Sequence, residues 1–294
     1  MKLKLLIILF LSIFITSCNN IKELNNISLI KHIGISKINN NYKITFNIEE
    51  IKEKEKITNS YTFMGKNLET TYNEINHSID KRLYLAHLTT LIISKDLLKE
   101  DYSNIINLLI KDKENRLDFS IFTLDNELFD KSMEYLKDNN SFNSLANNSN
   151  YFTSSVSNIR FDKLLNYYYE NLDFVIPEIT KVDFLKLDNY IYFKNNIYFN
   201  KLSTKESIIY NYLNDLIKEL KYDKVYILEN KSIIKWDKKS INIRINSKIQ
   251  NTSLENIKNY KHKLTKELKI FINKYLPHIK KVKCKITITG DNYE

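Results

Sequence analysis

Leu88-Thr89-Thr90-Leu91-Ile92-Ile93-Ser94 is the stretch from which the rest of the chain can be ordered. Its apolar residues fall on consecutive positions, interrupted only by two threonines, and a short run of that kind is a strand buried on both faces. Such a strand is central to its sheet. Behind it, Leu98, Tyr102, Ile105 and Leu109 share one stripe of a predicted helix over Leu97 to Lys111. Leu117, Phe119 and Ile121 then alternate through a strand that ends at Leu124. Strand, helix, strand is a crossover unit, whose hand is almost always right.

Toward the N-terminus, Ile27 to Lys37 and Tyr42 to Glu49 predict paired strands. Tyr42, Ile44, Phe46 and Ile48 alternate with polar residues, and Asn39-Asn40-Asn41 supplies side chains that tolerate turn conformations. The charged segment Ile51 to Ser60 is expected as an exposed connection, Tyr61 to Met64 as a short strand and Lys66 to Ile79 as a helix. Toward the C-terminus, Asp125 to Lys137 reads as a helix. Asp138 to Asn158, rich in Asn and Ser without a sustained period, is the candidate linker. Arg160 to Tyr169 again reads as helical, and Pro177 is expected to stop any regular element there. Tyr190 to Phe193 and Ile197 to Phe199 flank Lys194-Asn195-Asn196 as a second hairpin.

Ser203-Thr204-Lys205-Glu206 is a capping box ahead of a stripe formed by Ile208, Ile209, Tyr212, Leu213, Leu216, Ile217 and Leu220. Strands are predicted at Lys224 to Leu228, Ile233 to Trp236 and Ser240 to Ile249. Thr252-Ser253-Leu254-Glu255 is a second capping box, opening a helix on which Ile257, Tyr260, Leu264, Leu268, Phe271 and Tyr275 recur until Pro277. Val282 to Thr289 closes the sheet. Together these elements predict an α+β protein of mixed β-sheets with helices packed on them, in at least two domains. Its C-terminal part is expected as an antiparallel sheet with two long amphipathic helices. The expected division is a signal at 1–17, an N-terminal α+β domain at 18–137, a linker and connecting segment at 138–182, and a C-terminal α+β domain at 183–294.

The N-terminus sets the compartment. Lys2 and Lys4 precede the apolar run Leu5 to Ile15, which is too short to be read as a spanning helix and has the layout of a secretory signal. Ile15-Thr16-Ser17-Cys18 resembles the bacterial lipobox, so Cys18 is expected to become the mature N-terminus and the lipid attachment point. The competing reading is a conventional signal with a chance cysteine. Two acyl chains give stable anchoring at about 0.8 kcal/mol per buried CH₂. The other cysteine, Cys284, lies in the apolar row of an alternating strand and is expected to be a small buried hydrophobe, with Lys283 and Lys285 pointing away.

Lys and Arg number 45 against 35 Asp and Glu, and without Lys2 and Lys4 a surplus of eight remains. A surplus of that sign would favour an anionic membrane surface, but a soluble, Lys-rich surface is the commonest explanation for it. Nucleic acid is not expected as a partner, because the lysines are scattered along the sequence and the chain is exported. Only Gly34, Gly65 and Gly290 occur, too few for a glycine-rich phosphate cradle or a nucleophile elbow. The five histidines share no metal-ligand spacing with Cys or carboxylates, and His87, inside an apolar strand, reads as a satisfied core histidine. Asp112, Glu114, Arg116 and Asp118 read as an ion-paired turn, and Tyr190, Tyr192, Phe193, Tyr198 and Phe199 as hairpin packing. No catalytic, cofactor-binding or metal-ligating residue is assigned, and no cofactor is expected.

Several stretches in order resemble the Ger(x)C family, the lipoprotein C subunits of nutrient germinant receptors. They are Cys18; Lys22-Glu23-Leu24-Asn25 leading to Ile33-Gly34-Ile35-Ser36; Arg82-Leu83-Tyr84-Leu85-Ala86-His87-Leu88 before Leu91-Ile92-Ile93-Ser94; Asp112-Lys113-Glu114-Asn115-Arg116; and Tyr192-Phe193-Lys194 followed by Leu202-Ser203-Thr204-Lys205-Glu206. The resemblance implies a non-enzymatic, lipid-anchored subunit on the outer face of the inner spore membrane. It also implies two polytopic partner subunits, one transporter-like and one A-type, with the C subunit serving assembly and signal coupling. The alternative from another class is a solute-binding lipoprotein of a membrane transporter. That protein needs two α/β lobes around a pocket of convergent polar groups, and the sequence offers fewer βα repeats than two such lobes require.

Overall fold

A computed structural model of the chain describes residues 27–52, 55–111, 116–139, 142, 146, 156–181, 185–217, 219–222, 224–250 and 252–290. The expected signal at 1–17, Cys18 and the stretch Lys22 to Asn25 lie outside the described residues, as do Asp112 to Asn115 and most of the expected linker. Nine strands form the first sheet: β1 (Ile27–Ile38), β2 (Asn41–Lys52), β3 (Glu55–Gly65), β4 (Arg82–Tyr84), β5 (Thr90–Ser94), β6 (Ser120–Leu124), β7 (Phe174–Thr180), β8 (Lys186–Lys194) and β9 (Ile197–Leu202). Their order is β3-β2-β1-β5-β6-β7-β8-β9, with β4 paired beside β1. The middle four, β1, β5, β6 and β7, run parallel. Antiparallel strands flank them on both sides.

β5 is the centre that its sequence predicts. All five of its residues are buried, and its side chains feed two different cores. Leu91 and Ile93 face α1 (Leu68–Asn73), α3 (Lys95–Lys111) and α5 (Phe161–Tyr169), which follow the short helix α2 (Ile75–Ser78) or flank it in the chain. Ile92 faces α4 (Phe129–Asp138) and, through shared packing, α6 (Thr204–Leu213). Each of these side chains contributes about 1.5–3 kcal/mol by leaving water. On the α4 side, Gly34 of β1 lets the helix sit close: a Cβ there would lie 2.6 Å from Met133 Sδ and 2.7 Å from Phe129 Cζ. Asn39 and Asn40 take φ of 48° and 63° between β1 and β2, and Asn195 and Asn196 take 47° and 64° between β8 and β9. Left-handed residues at both turn positions match the twist of the strands they join, and Asn tolerates that conformation.

Several expectations need correction. The segment Ile51 to Ser60 is not an exposed connection, because β2 and β3 form a long hairpin paired from Tyr42↔Gly65 to Lys52↔Glu55. The single helix expected over Lys66 to Ile79 is two short ones, α1 capped by Asn67 and then α2. Pro177 does not end a strand; it sits in β7 opposite Tyr190. On its other flank β7 pairs with β6 only at Glu178 and Ile179, and a residue without an N–H is tolerated beside so short a ladder. Hairpin β8–β9, expected within 183–294, is hydrogen-bonded into the first sheet.

The second sheet contains β10 (Leu220–Tyr222), β11 (Val225–Asp237), β12 (Ser240–Ile249) and β13 (Lys281–Gly290), in that order. Ile241, Ile243, Ile245 and Ile249 point to α7 (Leu254–Tyr275), whose Leu264, Leu268, Phe271 and Ile272 close the core. The capping box at Ser203 forms as expected, with Ser203 and Glu206 bonded reciprocally. Its helix is shorter than the apolar stripe, because Asp215 at φ 55° turns the chain and Leu220 opens β10. At the second box the cap is Ser253 and not Thr252, accepting from the Asn256 amide. β11 is one strand where two were expected. The sheet is antiparallel through β10, β11 and β12, but β13 joins β12 in parallel. The reason is length: a 22-residue helix and a 10-residue strand each span about 33 Å, so α7 returns the chain to the end where β12 began. Among the described residues no helix is long and apolar enough to cross a membrane.

Candidate functional site

Cys18, the one site residue assigned from sequence, lies outside the described residues. Of the expected ion-paired turn, Arg116 and Asp118 are described and form an exposed pair at 2.8 Å. His87 is not a core histidine: it is exposed in a single turn after β4, tilted against Tyr84 at 6.1 Å. The buried histidine is His32, on the β1 row beneath α4, with Asn47 Nδ2 3.5 Å from its Nδ1. Asn47 donates to the Met133 carbonyl at 2.8 Å and accepts from Ser60 at 2.7 Å, so this polar patch ties β2 and β3 to α4. Cys284 is half-buried and unpaired, and burial pushes its thiol up, away from a reactive thiolate. Among the described residues no group of three or more His, Cys, Asp or Glu is placed to hold a metal ion.

Three of the five aromatic residues of the second hairpin are core, while Tyr198 is half-buried and Phe199 is exposed. Tyr190, Tyr192 and Phe193 are buried. Phe193 stacks on Phe174 at 4.7 Å and lies 5.1 Å from Tyr102, while Tyr192 meets Tyr275 of α7 edge to face. The Tyr190 hydroxyl accepts from the Ser157 amide at 2.6 Å and donates to Asn211 at 3.1 Å. Burial of a phenol is tolerated when its hydroxyl is satisfied in this way.

Two ionic clusters were not legible in the sequence. At the carboxyl ends of the parallel strands, Glu178 of β7 is buried. Lys95, the first residue of α3, reaches its Oε1 at 2.7 Å and the Asp125 Oδ1 beyond β6 at 2.8 Å. Lys201 of β9 approaches Oε2 at 2.7 Å, outside hydrogen-bonding geometry. Burial works against the Lys95 charge, but bonds to Asp125 and Glu178 outweigh it and hold the ammonium above its ordinary range. In an open α/β sheet this edge is where ligands bind. Here it is filled by a neutral set of two cations and two carboxylates that joins four elements and includes no nucleophile.

The second cluster is the joint between the two sheets. Glu206, the capping-box carboxylate of α6, accepts from the Ser203 amide at 2.9 Å, from Lys274 at 2.7 Å and from Tyr275 at 2.9 Å. Partial burial works to raise this carboxyl, but the bonds from Lys274, Ser203 and Tyr275 dominate and hold it at about 2. The last turn of α7 is thus fastened to the helix that follows the first sheet, and Lys194 adds a bond to the Tyr275 carbonyl at 3.2 Å.

A groove of about 580 Å³ is open and lies between α1 and α3, lined by Tyr42, Asn67, Asp101 and Asn104. A smaller one of about 330 Å³ crosses the outer face of the second sheet. It is bordered by Ile233, Lys235, Arg244, Lys283 and Lys285. Lysines that look scattered in the sequence therefore cluster in space.

A family model for the spore germination protein N-terminal domain matches residues 20–181. No curated protein sequence matches the chain. Among solved structures, the fold is similar to the crystal structure of the GerBC protein, with a TM-score of 0.53 and 16% identity, covering 88% of this chain and 97% of that one. At that identity the likeness is one of fold, and it includes the mixed α+β architecture beyond residue 181. The family match spans more than half of the chain and contains the Ile33–Ser36 and Arg82–Ser94 stretches, whose roles under α4 and at the centre of the first sheet are described above. The chain belongs to the Ger(x)C family of spore germination proteins.

Proposed function

We propose that the chain is the lipid-anchored C subunit of a nutrient germinant receptor. It is held by Cys18 on the outer face of the inner spore membrane and works without catalysis through contact with two polytopic subunits, one transporter-like and one A-type. The observation that carries this reading is the family match from residue 20 to 181, which begins just past the lipobox-like cysteine. The ionic clusters are consistent with it, since both are self-satisfied joints rather than reactive groups. A tether raises the effective concentration of a module beside its membrane partners, and coupling by contact needs no catalytic residue. The solute-binding reading gains no support from the 580 Å³ groove, which lies between α1 and α3 and not between two lobes.

Mass spectrometry of the mature N-terminus is expected to find Cys18 diacylated. Loss of the gene is expected to abolish or slow germination in response to one set of nutrients while receptor-independent triggers still act, and a pull-down from spore membranes is expected to recover the polytopic subunits. An unmodified Cys18 removes the anchor from the reading. Micromolar binding of a small solute by the purified protein, with impaired uptake on deletion, replaces the receptor reading by the solute-binding one.

A further inference from the structure

Alternation along three neighbouring strands brings four cations together on the outer face of the second sheet. Lys235, Asn242 and Lys283 form one row across β11, β12 and β13, and Ile233, Arg244 and Lys285 form the next. Strand spacing and rise confine these rows to a patch about 10 Å by 7 Å. Arg244 and Lys285 stand directly opposite each other, an arrangement of like charges that weakens a sheet. On the surface of the first sheet and its helices the pattern is different: Lys37 pairs with Glu100, Lys43 with Asp130, Lys111 with Glu69 and Lys186 with Asp188. None of Lys235, Arg244, Lys283 and Lys285 has an acidic partner among the described residues. Beside them, Ile233 is 41% exposed.

We propose that this face docks against an anionic bilayer surface, the four cations meeting lipid phosphates and Ile233 entering the interfacial layer. Cations are attracted to an anionic leaflet within a Debye length of its surface. A bilayer suits the patch better than a single anionic ligand, because the charges are spread in a plane, and among the described residues no buried polar side chain lines the groove between them. The reading of Cys18 as a lipid site is used only to place a bilayer within reach. The effect of the face is orientation: with one attachment near residue 18 and another at β11 to β13, the domain lies along the membrane instead of swinging on its tether.

The test is flotation of the full chain with vesicles of phosphatidylcholine alone or with added phosphatidylglycerol. The N-terminal lipid or apolar run contributes to both, so the readout is the ratio of the two affinities. The wild type is expected to prefer the anionic vesicles by roughly tenfold or more at low salt and to lose that preference as salt screens it. The variant Lys235→Glu, Arg244→Glu, Lys283→Glu, Lys285→Glu is expected to bind both vesicles alike with an unchanged melting temperature. If the four reversals disturb folding, Arg244→Gln with Lys283→Gln, which removes two of the four charges, is expected to remove about half of the preference on a logarithmic scale. A wild type without preference, or a variant that retains it, overturns the proposal. If the variant instead loses the polytopic subunits in a pull-down while the wild type ignores vesicle charge, the face is a protein contact and the proposal fails. Germination and partner recovery by the wild type test the receptor reading separately and do not enter the vesicle ratio.

Discussion

The first sheet is buried on both faces and the second on one, and that difference governs what each can carry. In β5, consecutive residues are divided between two cores, so every position is restricted by packing. In β12, Ile241, Ile243 and Ile245 are buried against α7, while Asn242, Arg244 and Asn246 are exposed. Packing leaves the open face free to vary, and it is there that cations accumulate without partners. The ionic groups of the first sheet are under the opposite pressure. Glu178 is tolerated in the interior only because Lys95 and Lys201 reach it.

An aspartate scan over adjacent positions tests the comparison most severely. Leu91→Asp and Ile92→Asp are both expected to unfold the protein, since each leaves an unpaired charge in a core at a cost of several kcal/mol against a total stability of about 5–15 kcal/mol. In β12, Ile243→Asp is expected to be as damaging, whereas Arg244→Asp is expected to change stability by less than about 0.5 kcal/mol or to raise it by relieving the repulsion from Lys285. Urea denaturation reads all four. If Arg244→Asp is as damaging as Ile243→Asp, the outer face of the second sheet is not open.

A second test asks whether the buried carboxylate of the first sheet stabilises or is merely tolerated. Glu178→Gln leaves Lys95 with Asp125 alone and Lys201 without its buried partner, and is expected to cost about 3 kcal/mol. Glu178→Leu combined with Lys95→Met is expected to recover most of that loss, because a well-packed apolar pair of similar volume replaces a buried ion pair at little cost. A double variant no better than the single one shows that the network contributes stability beyond its own desolvation.

What was legible in the sequence follows the same division. The apolar run at Leu88 to Ile93 marked the centre of the first sheet because burial on both faces leaves a contiguous signal, and the alternation of Ile241, Ile243 and Ile245 marked the inner face of the second. The paired asparagines marked both hairpin turns through their backbone preference. Glu178, Lys95 and Lys201 were missed because they come from strands far apart in sequence and meet only when β5, β6, β7 and β9 are brought together. The cationic face was missed for a subtler reason: period-two alternation separates Lys283 from Lys285 and both from Arg244 and Lys235, so a scan for charge runs sees scatter. Pairing β11, β12 and β13 in register would have exposed it, and the equal reach of α7 and its strands was the available hint that β13 runs parallel. Pro177 misled because its effect depends on the ladder beside it, which the sequence does not display.

A smaller loss than that of the buried carboxylate is expected where the two regions meet. Glu206 starts α6 just after the last strand of the first sheet, and Lys274 and Tyr275 end the helix that covers the second. Its carboxyl is held at about 2, below its ordinary 4.5, so the folded state binds the proton less readily than the unfolded chain. The stability from this group is therefore fully present above about pH 4.5 and is lost as pH falls from there through about 2. The site is partly open to solvent, and screening reduces the contribution to on the order of 1 kcal/mol. Glu206→Gln is expected to be less stable than wild type by that amount at pH 6 and to converge with it near pH 2. Ser203→Ala, which removes one cap bond and leaves Lys274 in place, is expected to cost about 1 kcal/mol with a weaker pH dependence. Equal losses at pH 6 and pH 2 for Glu206→Gln, followed by thermal melting, would mean that the joint is held by packing among Tyr192, Phe199 and Tyr275 and not by charge. In that case the core that the two sheets share holds them together without an ionic fastening.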